Sequence, residues 1–470
     1  MNRLIAYIAM TALIIASAAA GAWALTYLVS GPRIPLSPRD LVTPAIAPTK
    51  TAETPALPFN PGTLTPGAGK PSDDPGSWPQ FRGPDRTNIA PAAERVTRGF
   101  PPAGPEVLWR IPLGEGHAGA AVLKGRVFIL DYDREKQEDA VRCLSLADGT
   151  QEIWRYSYTN PVKRNHGMSR TVPAVTDDYV VALGPTGKVT CLRTATGEMV
   201  WHTDLVKDWG AEIPSWYAGQ CPLIDGNRVI LAPGGSALMV AIELATGKTL
   251  WRTPNPDHRG MTHCSVAALT VDGRKEYVYP ATSAAVGVDA ADGKLLWSLP
   301  EWTVKFANVP TPVPAGNSRV LFSGGYDGGA MLCEISGEPS KPRVVWRVDK
   351  DVFGSEQHTP VFYKDYFYCI IQGGMLACLD LAGKQVWASG PTRRFGLGPF
   401  LISDGLILAL NDETGTLYQV EASPEGYKEL AHAKVLNGHD AWAPMALVNG
   451  KLILRDSTEM ICIRIGTREP

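Results

Sequence analysis

Polar and apolar positions along the chain repeat one phrase. An apolar strand end, a small residue, Thr-Gly or Asp-Gly, a polar residue and then an apolar pair closing on Trp make up "IELATGKTLW" (242–251). The phrase recurs as "LRTATGEMVW" (192–201), "VDAADGKLLW" (288–297), "LSLADGTQEIW" (144–154) and "LDLAGKQVW" (379–387). Period-two apolar runs broken by Gly-containing turns predict short strands. Within one period the text reads as four of them. "GQCPLID" is an inner strand, "RVILAP" a second, "LMVAIEL" a third and "KTLWRT" an outer one. The turn glycines at 149, 197, 247 and 293 are expected to supply a positive φ.

The closing Trp falls at 109, 154, 201, 251, 297, 346 and 387, at spacings of 41 to 50 residues. A period of that size with strand chemistry predicts propeller blades of four strands. Later copies drift: "ISGEPSKPRVVW" (335–346) lengthens the turn, and "VEASPEGYKELAHA" (420–433) loses the Trp. Outer strands then end near 154, 201, 251, 297, 346, 387 and 431, which makes seven blades. Two fragments remain. "EVLWRIP" (106–112) is an outer strand without inner ones, and "AWAPMALVNGKLILRDSTEMICIRI" (441–465) is three strands without an outer one. Together they predict an eighth blade. The fold expected over 106–466 is an all-β, eight-bladed propeller of four-stranded blades. An N-terminal outer strand closes it and removes the open edges.

The N-terminus is different material. Leu4 to Val29 carries no charge over 26 residues. At 1.5 Å per residue that exceeds the ~30 Å apolar thickness of a bilayer. Residues 1–30 are read as a single-pass transmembrane anchor, with a cleaved signal and secretion as the alternative. No Cys precedes Cys143, so no lipoprotein anchor site is available. Residues 31–77 hold eleven Pro among Ser, Thr, Ala and Gly and read as a disordered, semi-extended linker. Residues 78–105 are a lead-in expected to dock on the propeller through Trp78 and Phe81.

Composition narrows the function. Lys+Arg (45) and Asp+Glu (47) nearly cancel, so the basic footprint of a nucleic-acid binder is missing. Five Cys (143, 191, 333, 378, 462) share one third-strand position, filled by Ala241 and Gly287 in blades three and four. The position asks for a small buried residue. Cys221 and Cys264 start neighbouring inner strands and are weighed as a bridge. Five His (117, 166, 263, 358, 439) fall where the chain enters inner strands. With Arg170, Gln220, Asn308, Gln357, Arg393, Arg394, Asp440 and Trp442 they form a candidate binding surface at one channel mouth. No catalytic residue is assigned. No metal-ligand spacing, G-x-S-x-G, HExxH or P-loop occurs.

The phrase resembles the repeat of pyrroloquinoline-quinone (PQQ) dehydrogenases and their non-catalytic relatives, among them the propeller lipoprotein of the outer-membrane β-barrel assembly machinery. "WPQFRGPDRTN" (78–88) resembles the lead-in of many such exported propellers. The resemblance covers 106–466 and implies the fold; its motif is structural and leaves function open. The catalytic relatives hold PQQ and calcium with carboxylate and amide groups, an Asp base and a vicinal disulfide. This chain has no vicinal cysteines. Two functions are expected. The first is a membrane-tethered, extracytoplasmic (periplasmic) scaffold without a cofactor, binding protein or envelope partners through a propeller face. The alternative is a quinoprotein-like oxidoreductase using PQQ and calcium in the funnel.

Overall fold

The computed structural model describes Ser17 and residues 62–163, 168–316 and 318–466. The chain divides into two units, Met1–Phe59 and Asn60–Pro470. The apolar anchor segment, the linker up to residue 61 and His166 all lie outside the described residues, apart from helical Ser17. No helix among the described residues is long and apolar enough to cross a membrane.

The second unit is an eight-bladed propeller with antiparallel blades. Blade three runs 223–225, 228–231, 237–243 and 249–254, and the other blades repeat this up-and-down order. The eighth is composite. The strand Glu106–Pro112 pairs with Glu459–Arg464, outside 451–455 and 446–448, as the two orphan fragments predicted. Blade one departs from four strands. The strand β1 (Thr63–Pro66) pairs with the outer strand 152–159, and β2 (Ser77–Trp78) pairs with the inner strand at Val122 and Leu123. Residues 62–77, read from their prolines as linker, are therefore ordered. β1 satisfies an edge that would otherwise be open, and Pro66, which has no N–H, stands at the strand's end.

The repeated phrase is a staple between blades. Trp109, Trp154, Trp201 and Trp297 are buried on outer strands. Five of the seven indole N–H groups donate to a turn carbonyl of the next blade: Trp109 to Leu146 (3.0 Å), Trp154 to Thr194 (3.2 Å), Trp201 to Leu244 (2.8 Å), Trp346 to Leu381 (2.9 Å) and Trp387 to Ser423 (2.8 Å). The next blade's turn glycine lies under the ring. A Cβ on Gly149, Gly197, Gly247, Gly293 or Gly383 would meet the preceding Trp at 2.4–2.9 Å. The glycine thus serves two needs. Gly197, Gly247 and Gly293 have φ of 76°, 75° and 78°, as expected. Gly149 is not in that region, which corrects the reading of its role: there the close approach of the Trp109 ring alone requires it. Blade five's longer turn lacks the acceptor, so Trp297 donates to Glu276 of its own blade at 2.9 Å instead.

The shared cysteine position is explained by register in four of the five cases; Cys333 is the exception, facing Val344 while Leu332 faces Trp346. Cys143, Cys191, Cys378 and Cys462 face Trp154, Trp201, Trp387 and Trp109 across the strand pair; Ala241 faces Trp251 and Gly287 faces Trp297. A small residue makes room for the indole. All eight cysteines are buried free thiols, so Cys221 and Cys264 form no bridge.

Candidate functional site

Each blade's inner strand is preceded by a connection from the outer strand of the blade before. These connections meet at one end of the central axis. There they enclose a cavity of about 240 Å³ to which every blade contributes, from His117 in blade one to Trp442 and Pro444 in blade eight. The connection into blade three is the longest. Helix α1 (Leu205–Trp209) opens it, N-capped by Asp204 and ended by Gly210 in the left-handed conformation. The chain then carries Trp216 and Tyr217, both with positive φ (66° and 72°), over the mouth. Consecutive non-glycine residues in that region are strained and persist where the surroundings hold them. Trp216 is held by Tyr326, stacked at 6.3 Å, and by the His263 ring at 6.1 Å.

The cavity's floor is the lead-in. From β2 the chain crosses the channel from the opposite end. The Pro79 carbonyl accepts from Val175 N–H (2.8 Å) in blade two, and the Arg86 guanidinium donates to the Pro222 carbonyl (2.7 Å) at blade three. Arg82 donates to the carbonyls of Thr359 (3.1 Å) and Pro360 (3.0 Å) at blade six, and to Arg86 and Thr87 in its own loop. Ala90 N–H donates to Ile402 (2.8 Å) in blade seven. Burial pulls Arg82 down to about 9 and Arg86 to about 10, the direction expected of guanidinium groups taken out of water. The loop they anchor presents Phe81 to the funnel cavity above and to a second cavity of about 250 Å³ below. Phe81 therefore separates two compartments of the channel.

Of the residues expected at the mouth, His117, Arg170, His263, Gln357, His358 and Trp442 line the funnel cavity together. The rings of His117 and Trp442 lie 4.6 Å apart, and the Trp442 indole donates to Asp412 Oδ2 at 2.8 Å. Gln220 is buried behind the wall, exchanging hydrogen bonds with the Ala232 backbone. Asn308 lines a neighbouring cavity of about 260 Å³ that shares His263 and Ala307 with the funnel. Four expected members do not join: Asp440 is not among the residues lining the cavity, and the other three turn elsewhere. Arg393 pairs with Glu429 on an outer strand at 3.0 Å. Arg394 gives its carbonyl to Asn411. His439 is solvent-exposed, 3.9 Å from the Asp440 carboxylate. Phe81, expected only to dock the lead-in on the propeller, also lines the cavity, and Trp216 and Tyr326 line it without having been singled out in the sequence. The available signal was that Trp78, Trp216 and Trp442 stand outside the repeated phrase.

The cavity is aromatic and weakly charged. Burial pulls His263 and His358 each down to about 4, and the nearby Arg170 and Arg82, respectively, push the same way. Both imidazoles are neutral at pH 7. His263 Nε2 lies 2.6 Å from the Ser215 carbonyl; the neutral ring donates there and leaves Nδ1 as acceptor. Burial also lowers Arg170 to about 10, leaving it a cation at the wall. No carboxylate among the described residues lines the cavity. Among the described residues no cluster of three His, Cys, Asp or Glu is placed to hold a metal.

The family pattern described as "Outer membrane protein assembly factor BamB", built of PQQ-like repeats, matches residues 101–205 and 137–370, more than half of the chain. The chain belongs to this PQQ-like propeller family. Within it, the outer membrane protein assembly factor BamB of Moranella endobia (strain PCIT) is 23% identical over 338 residues, which cover 67% of this chain and 79% of that protein. Among solved structures, BamB from Moraxella catarrhalis superposes with a TM-score of 0.54 at 12% identity, covering 76% of this chain and 99% of that one. The computationally designed Ika8 protein superposes with a TM-score of 0.52 at 12% identity, covering 77% and 100%. At such identities the superpositions speak for the fold alone. In this PQQ-like propeller the features that bear on function are the floored funnel and the loops around it.

Proposed function

We propose that the protein is a non-catalytic scaffold of the bacterial envelope, tethered by its N-terminal segment with the propeller extracytoplasmic, and that its funnel face docks a protein partner. The observation that carries this reading is the funnel itself: a concave site to which all eight blades contribute, closed at its base by Phe81 and walled by aromatic rings and neutral imidazoles. Aromatic side chains beside one cation are what protein-recognition surfaces favour at their energetic centres. Kinship with BamB proteins supports the envelope setting.

The quinoprotein alternative requires calcium, a hard cation that takes six to eight oxygen ligands, carboxylates prominent among them. Among the described residues the funnel wall presents Arg170, imidazoles and indoles and no carboxylate, so these residues do not fit a calcium-bound quinone. The test is pull-down of the full chain from envelope membranes beside its His358→Ala/Trp442→Ala variant. The partner should be retained by the first and lost by the second. Dye-linked alcohol oxidation that appears with added PQQ and Ca²⁺ and vanishes in the double variant would overturn the reading.

A further inference from the structure

We infer that the outer edge of blade five is a docking edge for an extended segment of a partner protein, which adds there as a fifth strand and seats an aliphatic side chain against Trp346. The inference concerns the flank of the propeller and goes beyond the funnel reading.

The chemistry of the occupant is displayed at blade one, where the chain fills the equivalent edge itself. Residues 62–69, Gly-Thr-Leu-Thr-Pro-Gly-Ala-Gly, lie along the outer strand Glu152–Thr159. β1 runs antiparallel to it, with Leu64 opposite Tyr156, Thr65 opposite Arg155 and Pro66 opposite Trp154. Past β1, the N–H groups of Gly67 and Gly69 donate to the carbonyls of Ile153 and Glu152, both at 2.9 Å. The segment lies too close for a side chain there: a Cβ on Gly67 would stand 1.8 Å from the Glu152 oxygen. Leu64 reaches into the seam between blades one and two. Its Cδ1 lies 2.9 Å from where a Cβ on Gly197 would be, beside the Trp154 ring. With this cover Trp154 is 1% exposed.

Blade five repeats the site without the cover. Its outer strand, Lys341–Val348, has eight residues, as in blade one; the other outer strands have four to seven. A bulge precedes Trp346 as one precedes Trp154, so Val344, Val345 and Trp346 match Glu152, Ile153 and Trp154. The staple matches too. Trp346 bonds to the Leu381 carbonyl, and the three atoms nearest a Cβ on Gly383 all belong to its ring, with no counterpart of Leu64 among them. Among the described residues no strand pairs with the outer side of 341–348. Val344 and Val345 are 38% and 37% exposed and Trp346 is only half-buried, whereas Glu152 and Ile153 are half-buried and Trp154 is buried. Long apolar edges are ones that proteins otherwise blunt, and an open edge takes up an extended partner through main-chain bonds while side-chain pockets set the choice of sequence. Pro342, which offers no N–H, falls before the matching window. The segment that fits carries an aliphatic residue opposite Val348 and glycines three and five residues later. A second copy of this chain has its own 62–69 engaged at its blade one.

The test uses the full chain and the capped peptide acetyl-Gly-Thr-Leu-Thr-Pro-Gly-Ala-Gly-amide, made also with Asp in place of Leu and with a photoreactive leucine at that position. Binding is read by calorimetry, crosslinks by mass spectrometry and stability by thermal melting. The wild type should bind the peptide, and the photoreactive form should crosslink within 346–349 or 381–384. Binding should weaken at least about tenfold with the Asp peptide, the loss expected when a buried Leu side chain is removed. The Val344→Lys/Val345→Lys variant should weaken it as much while melting at the wild-type temperature, since both side chains are exposed. No binding at millimolar peptide, equal binding by the Asp peptide or by the Lys variant, or crosslinks confined to blade one or to another seam would each overturn the inference. So would dimers of the full chain that the Lys variant abolishes, because they would assign the edge to a second copy. The His358→Ala/Trp442→Ala variant should bind the peptide as the wild type does; a peptide that fails on both proteins removes this inference alone and leaves the funnel reading standing.

Discussion

The staple between blades can be tested by placing a methyl group under a Trp ring. Gly197 has a φ of 76°, and a Cβ there would lie 2.6 Å from Cδ2 of Trp154, one blade earlier. Gly197→Ala therefore carries two penalties. The left-handed backbone costs an L-residue about 1–2 kcal/mol. Crowding a packed ring adds about 1–3 kcal/mol, less if the Leu64 methyl at 2.9 Å were the only obstacle, since it is the free end of a side chain. The expected loss is about 2–5 kcal/mol. Trp154→Ala should cost about 3–5 kcal/mol for the emptied volume, plus about 1 kcal/mol for the bond to the Thr194 carbonyl. Once the ring is gone, Gly197→Ala pays only its backbone penalty. The two changes should therefore couple by about 1–3 kcal/mol, the double variant being more stable than the sum predicts. Urea unfolding of the four proteins, followed by far-UV circular dichroism, measures this cycle. Additivity to within about 0.5 kcal/mol would show that ring and glycine do not meet, and the staple account would fall.

Closure by the strand Glu106–Pro112 predicts that a chain beginning at residue 60, which keeps β1 and β2, folds cooperatively while one beginning at 115 aggregates through the exposed edge of 459–464; equal melting temperatures would contradict the composite blade. Asp139 is fully buried, accepts from Asn160 at 2.6 Å, and is raised by burial from 3.8 to about 7. The folded state then binds the extra proton between those values, so stability drains as pH climbs from about 4 to 7; Asp139→Asn should gain up to about 4 kcal/mol at pH 8 and nothing at pH 4 in urea melts. His263 carries the opposite sign. Its folded value near 4 lies below the unfolded 6.5, so stability is lost as pH falls through that window, and His263→Gln should be more stable than wild type at pH 5 and no better at pH 8.

The blades were legible because their chemistry repeats. A Gly and a Trp at fixed offsets are demanded by the same contact, so its five copies reinforce one reading, and the two orphan fragments could only complete each other. The channel was legible in part. Counting from an outer strand says which connection a residue occupies but not its distance from the axis: His117 and Trp442 reach the cavity while Arg393, in the matching connection of blade seven, turns outward to Glu429. The plug was not legible. Arg82 and Arg86 in a Pro- and Gly-rich stretch look like a solvated loop, and only the approach of the blade-three and blade-six carbonyls makes them buried anchors. Pro-rich composition likewise hid β1, whose pairing uses the edge of blade one and owes little to its own propensity. That the Asn308 carboxamide has no partner among the described residues depends on how the segments 212–215, 260–263, 281–282 and 304–308 pack, and leaves no mark in the sequence.

The most direct test of the account is site-specific photocrosslinking of the full chain in intact cells. The photoreactive residue is placed at Phe306 or Tyr326 on the funnel face, and at Asp272 in a turn between the first two strands of blade four, at the opposite end. The account predicts a discrete protein adduct from the two funnel positions, weakened when His358 and Trp442 are replaced by Ala, and none from Asp272. Adducts from Asp272 alone, or none from the funnel face, would contradict a docking function for the floored funnel.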